Sequence, residues 1–216
     1  MNLRLKRMAK PTRQYHHGNL RSALIEAAIP LLEAQGPGAL SLREVAKAAG
    51  VSHAAPYRHF ADKTALLEEI AARGYDTLTQ ACHKAQKRYV DDPAQQLVEA
   101  GIGYLLFVVE QPRVAHLMFG GMIALDACGE VLQQSSATAF KSLVDIVDGG
   151  VKAGVFRTAP AQELTLAAWS MVHGLANLIA SGMLTGIADN RREVRRLGRQ
   201  LAETLLHGML ANDKRT

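Results

Sequence analysis

Apolar residues first fall into a helical period at Gly18. Leu20, Leu24, Ala27, Ala28, Leu31 and Leu32 share one face, with Arg21 and Glu26 off it, until Gln35-Gly-Pro-Gly38 stops the run. The stretch Ser41-Leu-Arg-Glu44, a Ser followed three residues later by Glu, starts a short helix Leu42–Ala49 with a capping box, and Gly50 ends it in a tight turn. Ser52 is placed to cap a helix of about two turns through His59, and Asp62 to cap a longer fourth helix that begins near Lys63. Pro93, Pro112 and Pro160 stand where they open helices near 94–110, 112–119 and 161–183. A further helix over about 130–153 closes at Gly154, and a last one covers about 190–210. The expected fold is all-α, with roughly nine helices: three short ones in an N-terminal helix-turn-helix head, then six in a larger helical-bundle body. Residues 1–17 have no apolar period and read as a flexible basic arm, 18–62 as the head, and 63–216 as the body.

Composition agrees with helices, since hydrophobic residues make up 48% of the chain and aromatics 5%, with no β-branched runs. Cys82 and Cys128 lie in different segments without a CxxC or Cys/His cluster, which argues against a zinc ribbon or a disulfide framework and suits a reducing cytoplasm. The basic N-terminus is followed by no apolar segment or small-residue cleavage site, so it does not read as a secretory signal. Leu164 to Ala188 carries no charged residue over a length that could span a bilayer, yet Ser170, His173, Asn177, Ser181 and Thr185 would each need a partner in lipid. A helix buried on two protein faces accounts for it better, and no membrane association is expected.

Charge changes the picture more than composition does. The net charge is +5, and residues 1–63 hold ten Lys/Arg against four acids, none of them before Glu26. All the excess positive charge therefore sits in the first third of the chain, the footprint of a module that binds a polyanion. Two short helices joined by a glycine turn in such a module make a helix-turn-helix, whose second helix lies in the major groove of a duplex. His53 and Ala54 would stand near the start of that helix, toward base edges, and Arg43 on the preceding helix could reach a guanine. Tyr57, His59 and Lys63 suit phosphate, together with the amides that open the fourth helix, and Arg58 suits either role. The hydroxyls of Ser41 and Ser52 complete the set. Phe60, an apolar ring with no donor, belongs between the helices, whereas the Tyr57 phenol is compatible with both packing and contact.

These residues resemble a known family. Leu42-Arg-Glu-Val-Ala-Lys-Ala-Ala-Gly-Val-Ser52, then Tyr57-Arg-His-Phe60, then Lys63 with Leu66-Leu67, are similar to the DNA-binding signature of the TetR/AcrR transcriptional regulators, and Tyr15-His-His-Gly-Asn-Leu20 is a phrase seen there too. The resemblance covers about residues 15–70. It implies a homodimer with a three-helix DNA-binding head and a variable helical body, usually a repressor released from an inverted-repeat operator by a small-molecule effector. It also implies dimerisation through the last two helices, here near 161–183 and 190–210. Trp169 and His173-Gly174 resemble a phrase found in one subset of family bodies. Pro56 departs from the pattern, standing where a helix former is more usual.

The nearly charge-free segment 161–183 independently supports a dimer, because pairing with a symmetry mate would bury both its faces. A ligand cavity would form from the middle helices. Its candidates are Tyr104, Phe107, His116, Phe119 and Met122, with Phe140, Trp169, His173 and Asn177, although Met and Phe at helical spacing also fill ordinary cores. No GxSxG, HExxH, Walker loop or GxGxxG is present, so neither an enzyme nor a cofactor or metal site is expected.

Overall fold

The computed structural model describes residues 20–209. The arm expected over residues 1–17 and the Tyr15-to-Asn19 phrase lie outside the described residues. The described chain is all-helical: α1 (Leu20–Ala39), α2 (Leu42–Ala48), a 3₁₀ turn (Pro56–Arg58), α3 (Lys63–Arg88), α4 (Pro93–Glu110), α5 (Pro112–Phe119), α6 (Glu130–Lys152), α7 (Ala161–Ala180) and α8 (Arg191–Met209). Gly36, at φ 81° and ψ 167°, interrupts α1 within the predicted stop.

The start signals at Ser41 and Asp62 act as read, and Asp92 adds a cap just ahead of Pro93. Ser41 Oγ accepts the Glu44 amide at 3.2 Å, and its own hydroxyl donates to the Glu44 carboxylate at 2.9 Å. Asp62 and Asp92 accept the amides of Ala65 and Gln95, each at 2.9 Å, and so cap α3 and α4. The three bonds to Glu44, Ala65 and Gln95 each satisfy an amide that a helix start leaves without an intrahelical partner.

The head closes around Leu24, Ala28, Leu32, Val45 and Phe60, with Leu66 and Ile70 of α3 completing that core. At 26 residues, α3 runs on from the head into the body, where it packs against α6 and α4. α4 lies at the centre of the body in contact with α3, α5, α6, α7 and α8, and ten of its eighteen residues are buried. That explains its apolar character on every side rather than along one stripe.

Head and body also meet through α5. Its N-cap, Gln111, makes no side-chain capping bond. The Glu33 carboxylate of α1 takes that place, accepting the Arg113 amide at 3.1 Å and the Val114 amide at 2.8 Å. A carboxylate there also meets the positive end of the helix dipole. Glu33→Ala is expected to lower stability by about 1 kcal/mol, the usual cost of a lost N-cap, read as a lower urea midpoint with an unchanged slope.

Candidate functional site

In the head, α2 ends in a Schellman motif. The Val51 amide donates to the Ala46 carbonyl at 3.0 Å and the Gly50 amide to the Lys47 carbonyl at 3.2 Å, with Gly50 at φ 70°. This turn aims the chain toward the next element, and there the structure corrects the expectation of a two-turn helix capped by Ser52. With Ser52 as cap, residue 56 would supply the first amide to bond back to the Ser52 carbonyl, and Pro56 has none. The Ala55 amide takes that carbonyl at 3.0 Å instead, and only Pro56–Arg58 forms a regular 3₁₀ turn, closed by bonds from His59 and Phe60 to the Pro56 carbonyl. Ser52 is exposed, and the turn has no side-chain cap.

The pyrrolidine of Pro56 and the ring of Phe60 are buried beneath this short element. Arg43, Ser52, His53, Ala54, Arg58 and His59 are exposed around it, and Tyr57 is 60% exposed. Ser41 is half-buried and occupied in its capping box. Lys63 is half-buried as well: its ammonium donates to the Gly38 carbonyl at 2.8 Å, which leaves two hydrogens for another acceptor. One positioning residue escaped the sequence reading. Arg21 makes a forked pair with Glu69, at 2.6 and 2.8 Å, while its guanidinium lies 5.6 Å from the Phe60 ring centroid. No local signal links positions 21 and 69, which come together only when α1 packs on α3.

A half-open cavity of about 330 Å³ lies in the body between α3, α4, α6, α7 and α8, within the ordinary range for small-molecule sites. Phe119, at the end of α5, sits among rings from three other helices: Tyr75 at 5.6 Å between centroids, Tyr104 at 6.0 Å, Trp169 at 6.0 Å and His173 at 5.3 Å. Tyr104 Oη lies 2.6 Å from His173 Nδ1, and Asn177 Nδ2 lies 2.9 Å from His173 Nε2. Burial raises the Tyr104 phenol far above its ordinary range, with the facing Trp169 indole lowering it by less, and burial pushes Tyr75 up to about 12. Burial also lowers His173, which favours its neutral imidazole.

Of the nine residues anticipated for the cavity, Tyr104, Phe119, Phe140 and Trp169 line it. His173 and Asn177 stand behind Tyr104 rather than on the wall. Phe107 is buried between α4 and α3 near Gly74, while His116 and Met122 are exposed away from the cavity. A helical period gives the facing direction of a residue only relative to its own helix, so it could not separate these groups. Tyr75, Leu143 and Leu205 also line the cavity and were missed because each reads as a routine core position.

Comparison with known proteins places this geometry. The model for bacterial regulatory proteins of the tetR family matches residues 24–70, and that for the tetracyclin repressor-like C-terminal domain matches residues 97–203. The chain belongs to the TetR family. Over 186 residues it is 28% identical to the HTH-type transcriptional regulator AcrR of Shigella flexneri, covering 85% of this chain and 82% of that one. A Rhodococcus sp. RHA1 protein of unknown function is 31% identical, with a TM-score of 0.79 over 92% of this chain and all of that one. The TetR family regulator PfmR of Thermus thermophilus, 24% identical, shares the fold at a TM-score of 0.64 over 85% of this chain and 97% of that one. This TetR-family chain is therefore a DNA-binding transcriptional regulator, and among the described residues no helix is long and apolar enough to cross a membrane.

Pro56 provides a direct check on the head. Pro56→Ala restores the amide that Ser52 can accept, so helical backbone chemical shifts should extend back to His53, and amide 56 should exchange slowly with solvent.

Proposed function

We propose that this regulator is a homodimeric repressor that binds an inverted-repeat operator and leaves it when a small molecule occupies the cavity. The observation that carries the reading is the head surface, where Arg43, His53, Tyr57, Arg58 and His59 are exposed together over a buried Pro56 and Phe60. Donors fixed on a packed base suit a groove: His53 and Arg43 read base edges, Arg58 meets bases or phosphate, and Tyr57, His59 and Lys63 hold phosphate.

Dimerisation draws support from α7. Leu166 and Leu178, 54% and 42% exposed, share its outer surface with the exposed Ser170, Gly174, Asn177 and Ser181, none of them charged. α7 and α8 of two copies pack together and set the spacing of the heads at about 34–36 Å, one turn of duplex. Release draws support from α5, whose last residue, Phe119, lines the cavity while its first amides are held by Glu33 of the head. An effector that displaces Phe119 shifts α5, and Glu33 passes the shift to α1.

Selection of bound fragments from random duplex DNA tests the reading by yielding a preferred inverted repeat; enrichment of no repeat would refute it. Lys63→Ala should weaken binding to every sequence and lower the slope of log affinity against log salt by about one, whereas His53→Ala should chiefly change the preferred base. In sedimentation velocity at micromolar concentration, Leu166→Glu combined with Leu178→Glu should convert a dimer to a monomer, since an unpaired charge is costly to bury.

A further inference from the structure

We propose that the effector is an uncharged, mainly apolar molecule that accepts one hydrogen bond from the Tyr104 phenol; this rests on the effector-release reading of the same cavity. Among the described residues, no Asp, Glu, Lys or Arg contributes to the cavity wall. A carboxylate or ammonium entering it would lose its hydration with no counter-charge to replace it, whereas an apolar body would only displace poorly held water.

The polar groups on the wall are few, and most are already engaged. The Tyr75 hydroxyl donates to the Met118 carbonyl at 3.2 Å, and the Ser136 hydroxyl donates to the Gln133 carbonyl at 2.9 Å. Cys82 is raised by burial and faces the Ser142 hydroxyl. Tyr104 differs. The Asn177 amide nitrogen donates to His173 Nε2, so the single hydrogen of the neutral ring sits on Nδ1 and donates to the Tyr104 oxygen at 2.6 Å. The Trp169 indole N–H donates to the same oxygen, so the phenol oxygen is an acceptor within the protein and its O–H is left to donate to a ligand. Asn177 sets the ring tautomer, His173 orients the phenol, and Tyr104 meets a carbonyl or ether oxygen.

The chain has one tryptophan, Trp169, and it lies on this wall, so its fluorescence reports occupancy directly. Three probes of one chain length, absorbing too weakly at the red edge of the tryptophan band to disturb its excitation there, separate the possibilities: 2-decanone, decanoate and decylammonium. The full-length protein should bind 2-decanone at least about tenfold more tightly than either ion. Tyr104→Phe should weaken the ketone about tenfold, the worth of one hydrogen bond, and change the ions little. Its thermal midpoint and DNA affinity, measured alongside, show that the variant is folded.

An ion that binds as well as the ketone overturns the proposal, as does undiminished ketone binding by folded Tyr104→Phe, or failure of all three probes to bind at millimolar concentration. Operator affinity measured with and without 2-decanone separates this from the reading it rests on. Binding without release refutes effector release and leaves the ligand class standing, whereas release by decanoate alone refutes the ligand class and leaves release standing.

Discussion

An eight-residue helix is too short to persist in water by itself, because the first turn orders several residues for a single hydrogen bond. α5 is such a helix, and the arrangement of the molecule depends on how it is held. Its N-terminal amides are satisfied by Glu33 from the head, and its C-terminal ring, Phe119, is packed among Tyr75, Tyr104, Trp169 and His173 in the body. Between these ends Val114, Ala115, Leu117 and Met118 are buried, and α5 packs against α1, α3 and α4, so the short helix is held by head and body together.

The head follows a different constraint. Its second short helix is cut to a 3₁₀ turn because Pro56 lacks the amide that would close the first α-helical turn, yet the element stays ordered because Pro56 and Phe60 are buried under it. Burial thus adds to the short-range bonds of Ala55, Arg58, His59 and Phe60 as a source of rigidity, and the polar neighbours lie outward. The same sequence feature shortens the helix and presents Tyr57, Arg58 and His59 to solvent. Arg21 contributes from α1 by lying against the Phe60 ring while paired with Glu69.

Most of the helices were legible because their signals are local. Ser41 and Asp62 each cap within three residues of themselves, Gly50 closes α2 through neighbouring amides, and Pro93 and Pro112 open helices where their missing hydrogen costs nothing. The helix-turn-helix signature, read as a resemblance, carried the family as well. Ser52 misled because a good cap cannot compensate for an amide missing four residues later. The cavity was legible only in part: Phe119 and Trp169 looked no different from Phe107, although the first two border empty space and the third fills a core.

The sequence by itself determined the all-helical class, the starts and stops of the main helices, the basic character of the head and the family signature, since all of these are written in residues close together along the chain. Tertiary structure alone decided that Glu33 caps α5, that Arg21 pairs with Glu69, and that Tyr104, His173 and Asn177 form one hydrogen-bonded line beside a cavity. Apart from the His173–Asn177 bond, which spans one turn of α7, those contacts join positions dozens of residues apart. Their existence depends on how long helices rotate and cross when packed, and a period along one helix carries no information about the angle at which it meets another.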